Sequence, residues 1–314
     1  MQMKVFVTGG CGFIGSHLAS NLLTKHDVTV FDNMSIGSPD FLGDMKNSSR
    51  CRIIKGDVTN FDQLVKAMDG NDVVYHLAAN ANIPLGVSNT RIDLDANVIG
   101  TYNVLEAMRR NNITKIAFSS SSSVYGEPDR SIGAVREDYG PLTPISLYGA
   151  SKLAAEAYVT GYHYMFGIEA WIFRFANVVG PHGTHGVIRD FIAKLKKNPK
   201  TMEILGDGKQ EKSFIYVDDC VNGIFYAVDH APGNAESFNL GSVDTITVDR
   251  IAEITVREMA LRSVRFTYTG GPRGWVGDVP YVFLDITKMQ KLGFVPKHSS
   301  EEAVTLAVRH MLES

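Results

Sequence analysis

Short apolar runs alternate with longer segments of helical periodicity through the first half of the chain. The runs are rich in Val, Ile and Phe, and the segments between them place apolar residues three or four positions apart. This alternation predicts a parallel sheet with helices on both faces, because each connection must cross from one end of the sheet to the other. The predicted strands are 4–8, 28–31, 52–55, 73–76, 115–118 and 170–173, and the predicted helices are 13–23, 62–68, 94–110 and 147–166.

The pattern changes after residue 174, where longer loops contain more Gly, Pro and His. The fold class predicted from both halves is α/β, a doubly wound parallel sheet with a smaller, mixed α/β C-terminal lobe that binds substrate. We expect residues 1–176 to form the first domain, with the chain returning to it near 214–242, and residues 177–314 to form the second. The later predicted elements are helices 187–197, 248–259, 286–292 and 300–311 and short strands 202–205 and 214–217.

Composition narrows the class of protein. The 314 residues are 44% hydrophobic and 21% charged with a net charge of −3, which excludes a disordered or fibrous chain and indicates neither nucleic-acid nor membrane-surface binding. Three scattered cysteines, Cys11, Cys51 and Cys220, predict neither a disulfide framework nor a metal site. A strand-like segment begins near residue 4 and no apolar run reaches about 18 residues, so we expect no signal peptide, no transmembrane helix and a cytoplasmic location.

Gly9–Gly15 forms a glycine-rich loop between the first predicted strand and the first helix. Its GxGxxG spacing suits a turn in which the backbone approaches a pyrophosphate at a helix N-terminus. Asp32 ends the second strand, 17 residues after Gly15, where a carboxylate binds ribose hydroxyls and repels a 2′-phosphate, which favours NAD over NADP. Asp57, after the third strand, is a candidate for the adenine amino group. A glycine turn without ligand, a surface aspartate and a plain turn at Asp57 remain the alternatives.

Tyr148 and Lys152 stand four residues apart on one face of a predicted helix. A fixed cation beside the phenol favours the phenolate, which would make Tyr148 a base for a sugar hydroxyl, and an oxidised nicotinamide would act in the same direction. The Ser119–Ser123 run follows a strand at the edge where α/β sheets bind ligands, so that one serine could share the proton. A surface helix pair and a polar loop are the alternatives for each motif alone, and their joint occurrence favours the catalytic interpretation.

These motifs together resemble the extended short-chain dehydrogenase/reductases, specifically the NAD-dependent nucleotide-sugar epimerase/dehydratase family. The resemblance covers essentially the whole chain. It implies a Rossmann-type fold, a tightly bound NAD regenerated in each turnover, a nucleoside-diphosphate sugar in the second lobe and a homodimer built on two helices per subunit. The matching segments are TGGCGFIGSHL (8–18), FDN at Asp32, GDV at Asp57, HLAA (76–79), NVIGTYNVLEA (97–107), SSSSSVYG (119–126), YGASK (148–152), RFANVVGP (174–181), GDGKQEKSFIYVDD (206–219) and GDV (277–279).

The resemblance also implies site residues. The catalytic group falls on Ser121, Tyr148 and Lys152. Besides Tyr148 and Lys152, the implied cofactor-binding residues are Gly9, Gly12, Phe13, Ile14, Gly15, Asp32, Asn33, Ser35, Ile36, Gly37, Asp57, Val58, Leu77, Ala78, Ala79 and Asn97. Besides Ser121 and Tyr148, the implied substrate-binding residues are Ser122, Asn177, Val187, Ile188, Leu205, Lys212, Arg273, Asp278 and Val282.

Two positions after the catalytic hydroxyl indicate which reaction of the family this chain catalyses. In the 4,6-dehydratases that the chain resembles, the catalytic hydroxyl and the two residues after it are Thr-Asp-Glu, and the decarboxylases keep the glutamate two residues after the hydroxyl. This chain has Ser122 and Ser123 at the two positions, and neither has a carboxyl group. The expected reaction is therefore 4-epimerisation through a transient 4-keto sugar, with no net redox change and no metal. The chain resembles most the UDP-glucose (UDP-galactose) 4-epimerases, and N-acetylated or uronic forms of the sugar remain open.

The chain departs from the family pattern at three places in the second lobe and the substrate pocket. Lys212 replaces a phosphate-binding arginine, Trp275 replaces a second one with Arg273 displaced upstream, and a pocket lysine is lost near Ala81. We expect a rearranged phosphate clamp. Val282 stands where a bulky tyrosine would exclude a C2 N-acetyl group, so both sugar forms should be tolerated.

Several alternatives remain open from the sequence. Arg189 could meet a uronic-acid carboxylate or could be a solvated helix residue. An NAD(P)H-dependent reductase of a nucleotide-linked keto sugar, an epimerase of a GDP-, dTDP- or CDP-sugar, and a non-catalytic NAD sensor are the competing functions. Only the first would consume a reduced nicotinamide in each turnover.

Overall fold

A computed structural model describes residues 2–313 of the chain. The strands, numbered in chain order, are β1 Lys4–Thr8, β2 Asp27–Asp32, β3 Cys51–Lys55, β4 Val73–His76, β5 Lys115–Ser121, β6 Glu169–Phe175, β7 Asn177–Val179, β8 Thr201–Ile204, β9 Glu211–Lys212, β10 Phe214–Tyr216, β11 Asn234–Leu240, β12 Ile246–Thr247, β13 Arg265–Tyr268 and β14 Tyr281–Val282. The α-helices are α1 Phe13–Leu22, α2 Phe61–Met68, α3 Leu85–Ser88, α4 Gly100–Arg110, α5 Leu147–Phe166, α6 Val187–Lys197, α7 Val217–His230, α8 Val248–Glu258, α9 Thr287–Leu292 and α10 Ser300–Glu313.

The central sheet has seven strands in the order β11-β6-β5-β4-β1-β2-β3. Strand β1 pairs in parallel with both β2 and β4, and the β2–β3 and β4–β5 pairs are also parallel. The order therefore reverses at β1, which is the arrangement of a Rossmann-type sheet and the place where such sheets bind ligands. The predicted α/β class with a doubly wound parallel sheet is confirmed.

Burial on both faces explains why the central strands are nearly continuous apolar runs. Val5, Phe6 and Val7 of β1 are fully buried, and Phe6 stacks at a tilt on Phe31 with 5.7 Å between the ring centroids. Helices α2 and α4 contribute Leu64 and Leu105 to the same cluster. Each fully buried side chain of this size stabilises the fold by about 1.5–3 kcal/mol, and the rigid sheet fixes the loops at its carboxyl ends.

The chain divides into two compact units. The first consists of residues 1–124, 146–174 and 224–238, and the second of residues 125–145, 175–223 and 239–314. The segment 125–145, which we expected in the first domain, belongs to the second unit, and the return to the first unit covers 224–238 instead of 214–242. The assignment of NAD to one and of a nucleotide sugar to the other stays a prediction.

The second unit is built from small sheets and amphipathic helices. Strands β7 and β10 pair in parallel, as do β8 and β13, and β9 lies between β12 and β14. Helices α6, α8 and α10 pack on one another through apolar faces that include Phe191, Ile254 and Val304. Within residues 2–313, every helix is too short or too polar to span a membrane.

Several local elements differ from the prediction. The predicted helix 94–110 begins as a π-helical turn, Leu94–Ile99, before α4, and β5 continues through Ser121, so three serines of the predicted loop belong to the strand. Helix α7 and strand β11 were not predicted. Helix α7 was missed because it starts at Val217 directly after β10, so that one apolar run belongs to both elements. The acidic residues Asp218 and Asp219 in its first turn were the sequence signal for a helix start.

Candidate functional site

The predicted cofactor and catalytic residues of the first unit follow five neighbouring strands. Gly9 comes after β1, Asp32 ends β2, Asp57 comes after β3, Leu77 comes after β4 and Ser121 ends β5. Because paired parallel strands end on the same side of a sheet, the fold places these residues along one edge. The spacing of the motifs along the chain thus becomes proximity at the carboxyl edge of the sheet.

The glycine loop has two kinds of glycine. Gly9 has a φ of +68°, and a Cβ there would lie 2.7 Å from the Ala78 nitrogen, whereas a Cβ at Gly15 would lie 2.0 Å from the Gly9 oxygen. These two positions are dictated by packing within the protein. Gly12 is the N-cap of α1, receives no capping side chain and would bring a Cβ within 4 Å of only one neighbour, the Gly9 oxygen. An open, uncapped helix start of this kind fits the diphosphate of NAD.

Asp32 is fixed against the glycine loop. Its Oδ2 accepts a hydrogen bond from the Cys11 nitrogen at 2.9 Å, and its Oδ1 accepts one from the Met34 nitrogen at 2.7 Å. Each carboxylate oxygen keeps lone-pair capacity for a further donor, as recognition of ribose hydroxyls requires. Burial, with Asp32 adding to it, raises the pKa of Cys11 to about 12, so this cysteine is a thiol that fills space in the loop.

The predicted adenine-side residues form one hydrogen-bonded group. Asn33 donates to Asp57 Oδ2 at 2.8 Å, and the Ser35 nitrogen donates to Asn33 Oδ1 at 3.0 Å. Burial acts to raise the pKa of Asp57, but the hydrogen bonds from Asn33 and Thr59 outweigh it and leave the pKa lowered. Gly37 lies against the glycine loop, since a Cβ there would be 2.2 Å from the Cys11 oxygen.

The remaining predicted cofactor residues differ in exposure. Val58 is buried, whereas Ile36 is half exposed. Phe13 and Ile14 open helix α1, and Leu77 and Ala78 donate their backbone nitrogens to Thr8 Oγ1, each at 3.2 Å. Ala79 continues the same turn beyond β4. Of these residues, Leu77 and Ala78 lie against the glycine loop through their backbone, since a Cβ at Gly9 would come within 3 Å of both.

The serines of the 119–123 run differ in what their hydroxyl groups contact. Ser119 Oγ donates to the His76 carbonyl oxygen at 3.0 Å, and Ser120 Oγ donates to Glu156 Oε1 at 2.5 Å, so both hydroxyls are used inside the fold. Ser121 Oγ donates to Ser123 Oγ and accepts from the Ser123 nitrogen, both at 3.1 Å, and the same hydroxyl acts on the Tyr148 phenol. Ser121 is thus the strand serine whose hydroxyl lies next to the phenol, and Ser122 begins a short 3₁₀ turn.

Lys152 is buried beside this pair. Its Nζ donates to the Ser119 carbonyl oxygen at 2.8 Å and lies 6.0 Å from the ring centroid of Tyr148. Burial lowers the pKa of Lys152 to about 8, against the opposing effects of Glu156 and Asp93. The ammonium therefore titrates within reach of physiological pH.

The pKa of Tyr148 contradicts the expected lowering. Burial raises it to about 12, with Asp93 acting in the same direction and the hydrogen bond from Ser121 opposing both. The physical reason is that the surroundings of the phenol desolvate it while Lys152 directs its ammonium to the Ser119 carbonyl. The chain alone keeps Tyr148 protonated, so its use as a base needs a further positive charge near the ring.

Asn97 is integrated into the fold on the π-helical turn. Its Oδ1 accepts from the Asn80 nitrogen at 2.8 Å, and its Nδ2 donates to Ser151 Oγ at 2.9 Å. Ser151 Oγ in turn donates to the Tyr148 carbonyl oxygen at 2.7 Å. Asn97 thus connects the turn after β4 to the first turn of α5; its place beside the cofactor stays a prediction.

Sequence reasoning missed two acidic residues near Lys152. Glu156 lies one turn further along α5 and pairs with Arg174 through both carboxylate oxygens, at 3.0 and 2.7 Å. The i, i+4 spacing from Lys152 was the signal that could have found it. Asp93 is also buried, but neither its spacing nor its neighbours in sequence point to the site.

Four predicted substrate residues come together in the second unit. Lys212 Nζ lies 2.5 Å from Asp278 Oδ1, and Arg273 Nη1 donates to the Asp278 carbonyl oxygen at 2.5 Å. Val282 is the register partner of Lys212 across the β9–β14 pair. Arg273 also pairs with Glu127. The two cations contact Asp278 at different places, Lys212 at its carboxylate and Arg273 at its carbonyl oxygen, and with Val282 they form a compact group whose role in binding substrate stays a prediction.

The other predicted substrate residues are dispersed over the second unit. Asn177 Nδ2 donates to the Ser213 carbonyl oxygen at 3.2 Å, Leu205 follows β8 and is 40% exposed, and Val187 begins α6. Ile188 is buried among the helices, so its side chain belongs to the core of the unit. Arg189 donates to the Gly183 carbonyl oxygen at 2.9 Å, and its contact with a uronic-acid carboxylate stays a prediction.

No metal site accompanies these groups. Within residues 2–313, no cluster of three or more His, Cys, Asp or Glu side chains is arranged to hold a metal ion.

Known proteins resemble the chain over almost its full length. The model of the NAD-dependent epimerase/dehydratase family matches residues 5–241. The UDP-glucose 4-epimerase of Mycolicibacterium smegmatis is 32% identical over 315 residues, covering 98% of this chain and 97% of that protein.

Two solved structures are similar over 99% of both chains. A crystal structure of UDP-galactose 4-epimerase has 35% identity and a TM-score of 0.88. A UDP-N-acetylglucosamine 4-epimerase from Methanobrevibacter ruminantium M1, solved with UDP-N-acetylmuramic acid, has 30% identity and a TM-score of 0.88. The glycine loop, the acid at the end of β2 and the Ser121–Tyr148–Lys152 group agree with these likenesses, and the chain belongs to the NAD-dependent epimerase/dehydratase family.

Proposed function

We propose that the protein is an NAD-dependent 4-epimerase of a nucleoside-diphosphate sugar, most simply a UDP-sugar of the glucose/galactose type. The observation that carries the proposal is the placing of Ser121 beside Tyr148, where it acts on the phenol, with the buried Lys152 next to them and serines at 122 and 123. A dehydration would need a carboxyl acid and base at those two positions. The available groups suffice for the removal and return of one hydroxyl proton.

The chain's own residues supply binding, orientation and proton transfer. When bound, NAD supplies a reversible hydride acceptor and a positive charge near the phenol. Tyr148 takes the proton of the sugar 4-hydroxyl, Ser121 hydrogen-bonds to that hydroxyl and Lys152 stabilises the phenolate. The 4-keto sugar then turns about its diphosphate so that its other face would receive the hydride back at C4, and Tyr148 returns the proton to the C4 oxygen. No external electron acceptor is consumed.

In this proposal the second unit binds the nucleotide. Lys212 and Arg273 offer positive charge to the diphosphate and Asp278 accepts from the ribose, which would require the Lys212–Asp278 contact to rearrange. Val282 leaves room at C2 for an N-acetyl group. Asn177, Val187 and Leu205 are proposed to line the same subsite, and Ile188 would contribute by backbone or by supporting Val187. Ser122 is proposed to contact the sugar from the turn that follows Ser121 in the first unit.

The first experiment tests reaction and sugar together. The purified protein, with no added cofactor, is incubated separately with UDP-glucose, UDP-N-acetylglucosamine and UDP-glucuronate, and each mixture is followed by NMR. We expect a galacto-configured product in at least one tube and none with Tyr148→Phe. No conversion in any tube, with or without added NAD, would overturn the UDP-sugar 4-epimerase; consumption of NADH with a keto sugar would identify a reductase.

We further propose a homodimer formed through the outer faces of α4 and α5. Tyr102 and Tyr158 meet edge to face at 6.1 Å, and both are more than 40% exposed. Leu94 and Ile99 are similarly exposed on the preceding π-helical turn. Large apolar side chains grouped on two adjacent helices are typical of a subunit interface. A cytoplasmic location stays a prediction.

A further inference from the structure

Asp93 is a buried carboxylate for which the proposed reaction has no role. The side chain is 1% exposed, and burial raises its pKa. Its Oδ1 accepts from Asn80 Nδ2 at 2.8 Å, and its Oδ2 has no hydrogen-bond partner within residues 2–313. Because an uncompensated buried carboxylate oxygen is costly, its retention needs an explanation.

A chain of buried amides and hydroxyls connects Asp93 to the catalytic helix. Asn97 Nδ2 lies 3.5 Å from Asp93 Oδ1 and 2.9 Å from Ser151 Oγ, and Asn80 contacts both Asp93 and Asn97. Ser151 lies between the two catalytic residues of α5 and donates to the Tyr148 carbonyl oxygen. The network therefore ties the N-terminal turns of α5 to the π-helical turn.

Two buried carboxylates act on the Lys152 ammonium, Glu156 more strongly and Asp93 after it, and of the two only Glu156 is paired with a guanidinium. Glu156 is held by the Arg174 guanidinium and by the Ser120 hydroxyl. His76 is hydrogen-bonded through both ring nitrogens, and burial, with Lys152 adding to it, lowers its pKa to about 3, so it carries no charge near neutrality. Tyr148 is protonated. Asp93 acts electrostatically on both Lys152 and Tyr148.

We propose that Asp93 is a positioning residue of this site, which holds the start of α5 through Asn80, Asn97 and Ser151 and serves as the buried counter-charge of Lys152. The inference deepens the proposed epimerase and rests on it for its catalytic consequence. The unpartnered oxygen is explained, since its charge is balanced through space by an ammonium that hydrogen-bonds elsewhere.

The first test needs no substrate. Asp93→Asn keeps the shape of the side chain and removes its charge, and Asp95→Asn, two residues along on an exposed ion pair with Arg91, is the matched control. Tyrosine labelled at Cζ reports the pKa of Tyr148 by NMR titration, with Tyr148→Phe assigning the signal. We expect Asp93→Asn to lower that pKa by roughly one unit, because a nearby negative charge disfavours the phenolate. An unchanged pKa, with Asp95→Asn also unchanged, would overturn the counter-charge role.

The second test separates charge from position. In Asp93→Asn both limbs of the pH profile of kcat should move to lower pH. The acidic limb moves because the Tyr148 phenolate forms more easily, and the alkaline limb moves because the Lys152 ammonium loses a counter-charge. The KM should change little. Ser151→Ala breaks the link to α5 without altering charge, so it should lower kcat and leave the limbs in place. A uniform loss of activity with unmoved limbs in Asp93→Asn would show a merely structural residue.

The experiments distinguish failure of the epimerase proposal from failure of the Asp93 proposal. A wild-type protein that converts no nucleotide sugar would remove the epimerase, while the NMR titration would still decide whether Asp93 sets the pKa of Tyr148. If Asp93→Asn does not fold, the same titration of Asn80→Ser, which frees Asp93 from its neutral partner, decides it. The pKa of Tyr148 should then change, and an unchanged value would contradict the proposal.

Discussion

The Lys152 ammonium donates to the Ser119 carbonyl oxygen at 2.8 Å, which ties helix α5 to the end of strand β5. The same contact holds the ammonium beside Tyr148 and leaves Ser121, two residues further along the strand, on the side of the phenol. One hydrogen bond thus brings the three catalytic candidates into a single arrangement.

The low pKa of Lys152 predicts an alkaline limit to activity. Above about pH 8 the buried ammonium loses its proton, so kcat/KM should fall as pH rises through that value. Lys152→Arg stays charged at all accessible pH and should remove this limb even where the rate is lower. Steady-state kinetics between pH 6 and 10 tests this; an alkaline limb that persists in Lys152→Arg would contradict the assignment.

Tyr148→Phe should lower kcat by about 10²–10⁴-fold, the usual contribution of a general base. The ring is retained, so bound NAD and the melting temperature should change little. Tyr164→Phe, at the exposed end of the same helix, is the control and should be fully active. Activity close to wild type in Tyr148→Phe would exclude the phenol as the base.

Two glycines in helices should respond oppositely to alanine. Gly15→Ala would place a Cβ 2.0 Å from the Gly9 oxygen, so we expect loss of bound NAD and a lower melting temperature. Gly161→Ala, in α5, meets nothing within 4 Å. It should stabilise the fold by about 0.5–1 kcal/mol, because alanine restricts the unfolded chain. Thermal melts and the absorbance of released nicotinamide measure both; normal NAD content in Gly15→Ala would refute the packing argument.

The buried Glu156–Arg174 pair predicts a large stability effect. Glu156→Gln leaves the guanidinium uncompensated in the interior and should lower the free energy of unfolding by about 3–5 kcal/mol. Glu253→Gln breaks an exposed pair with Arg250 and should change it by less than about 1 kcal/mol. Urea unfolding compares the two, and equal effects would mean that the buried charge is solvated after all.

The proposed dimer predicts that one exposed position controls assembly. Tyr158→Glu puts a charge on the outer face of α5 and should convert a dimer to a monomer in light scattering. Tyr164→Glu, exposed at the end of the helix, should leave the mass unchanged. A monomeric wild-type protein would remove this proposal without affecting the catalytic one.

Motif and periodicity predicted most of the first unit, because its strands are buried on both faces and its loops obey strict local rules. Helix α5 and strand β1 have the predicted bounds, and the order of the glycine loop, Asp32 and Ser121 along the chain translates directly into one sheet edge. The second unit was less predictable, since its short strands β9, β12 and β14 are defined by pairing partners distant in sequence.

The sequence by itself determined the α/β class and the family and proposed Ser121, Tyr148 and Lys152 as the catalytic group, because each inference depends on residue type at local spacing. Only the tertiary structure decided how those groups are charged and held. Burial raises the pKa of Tyr148 instead of lowering it, and Asp93 reaches the site through contacts between segments far apart in the chain. Desolvation and long-range electrostatics depend on what surrounds a side chain in space, which local patterns do not encode.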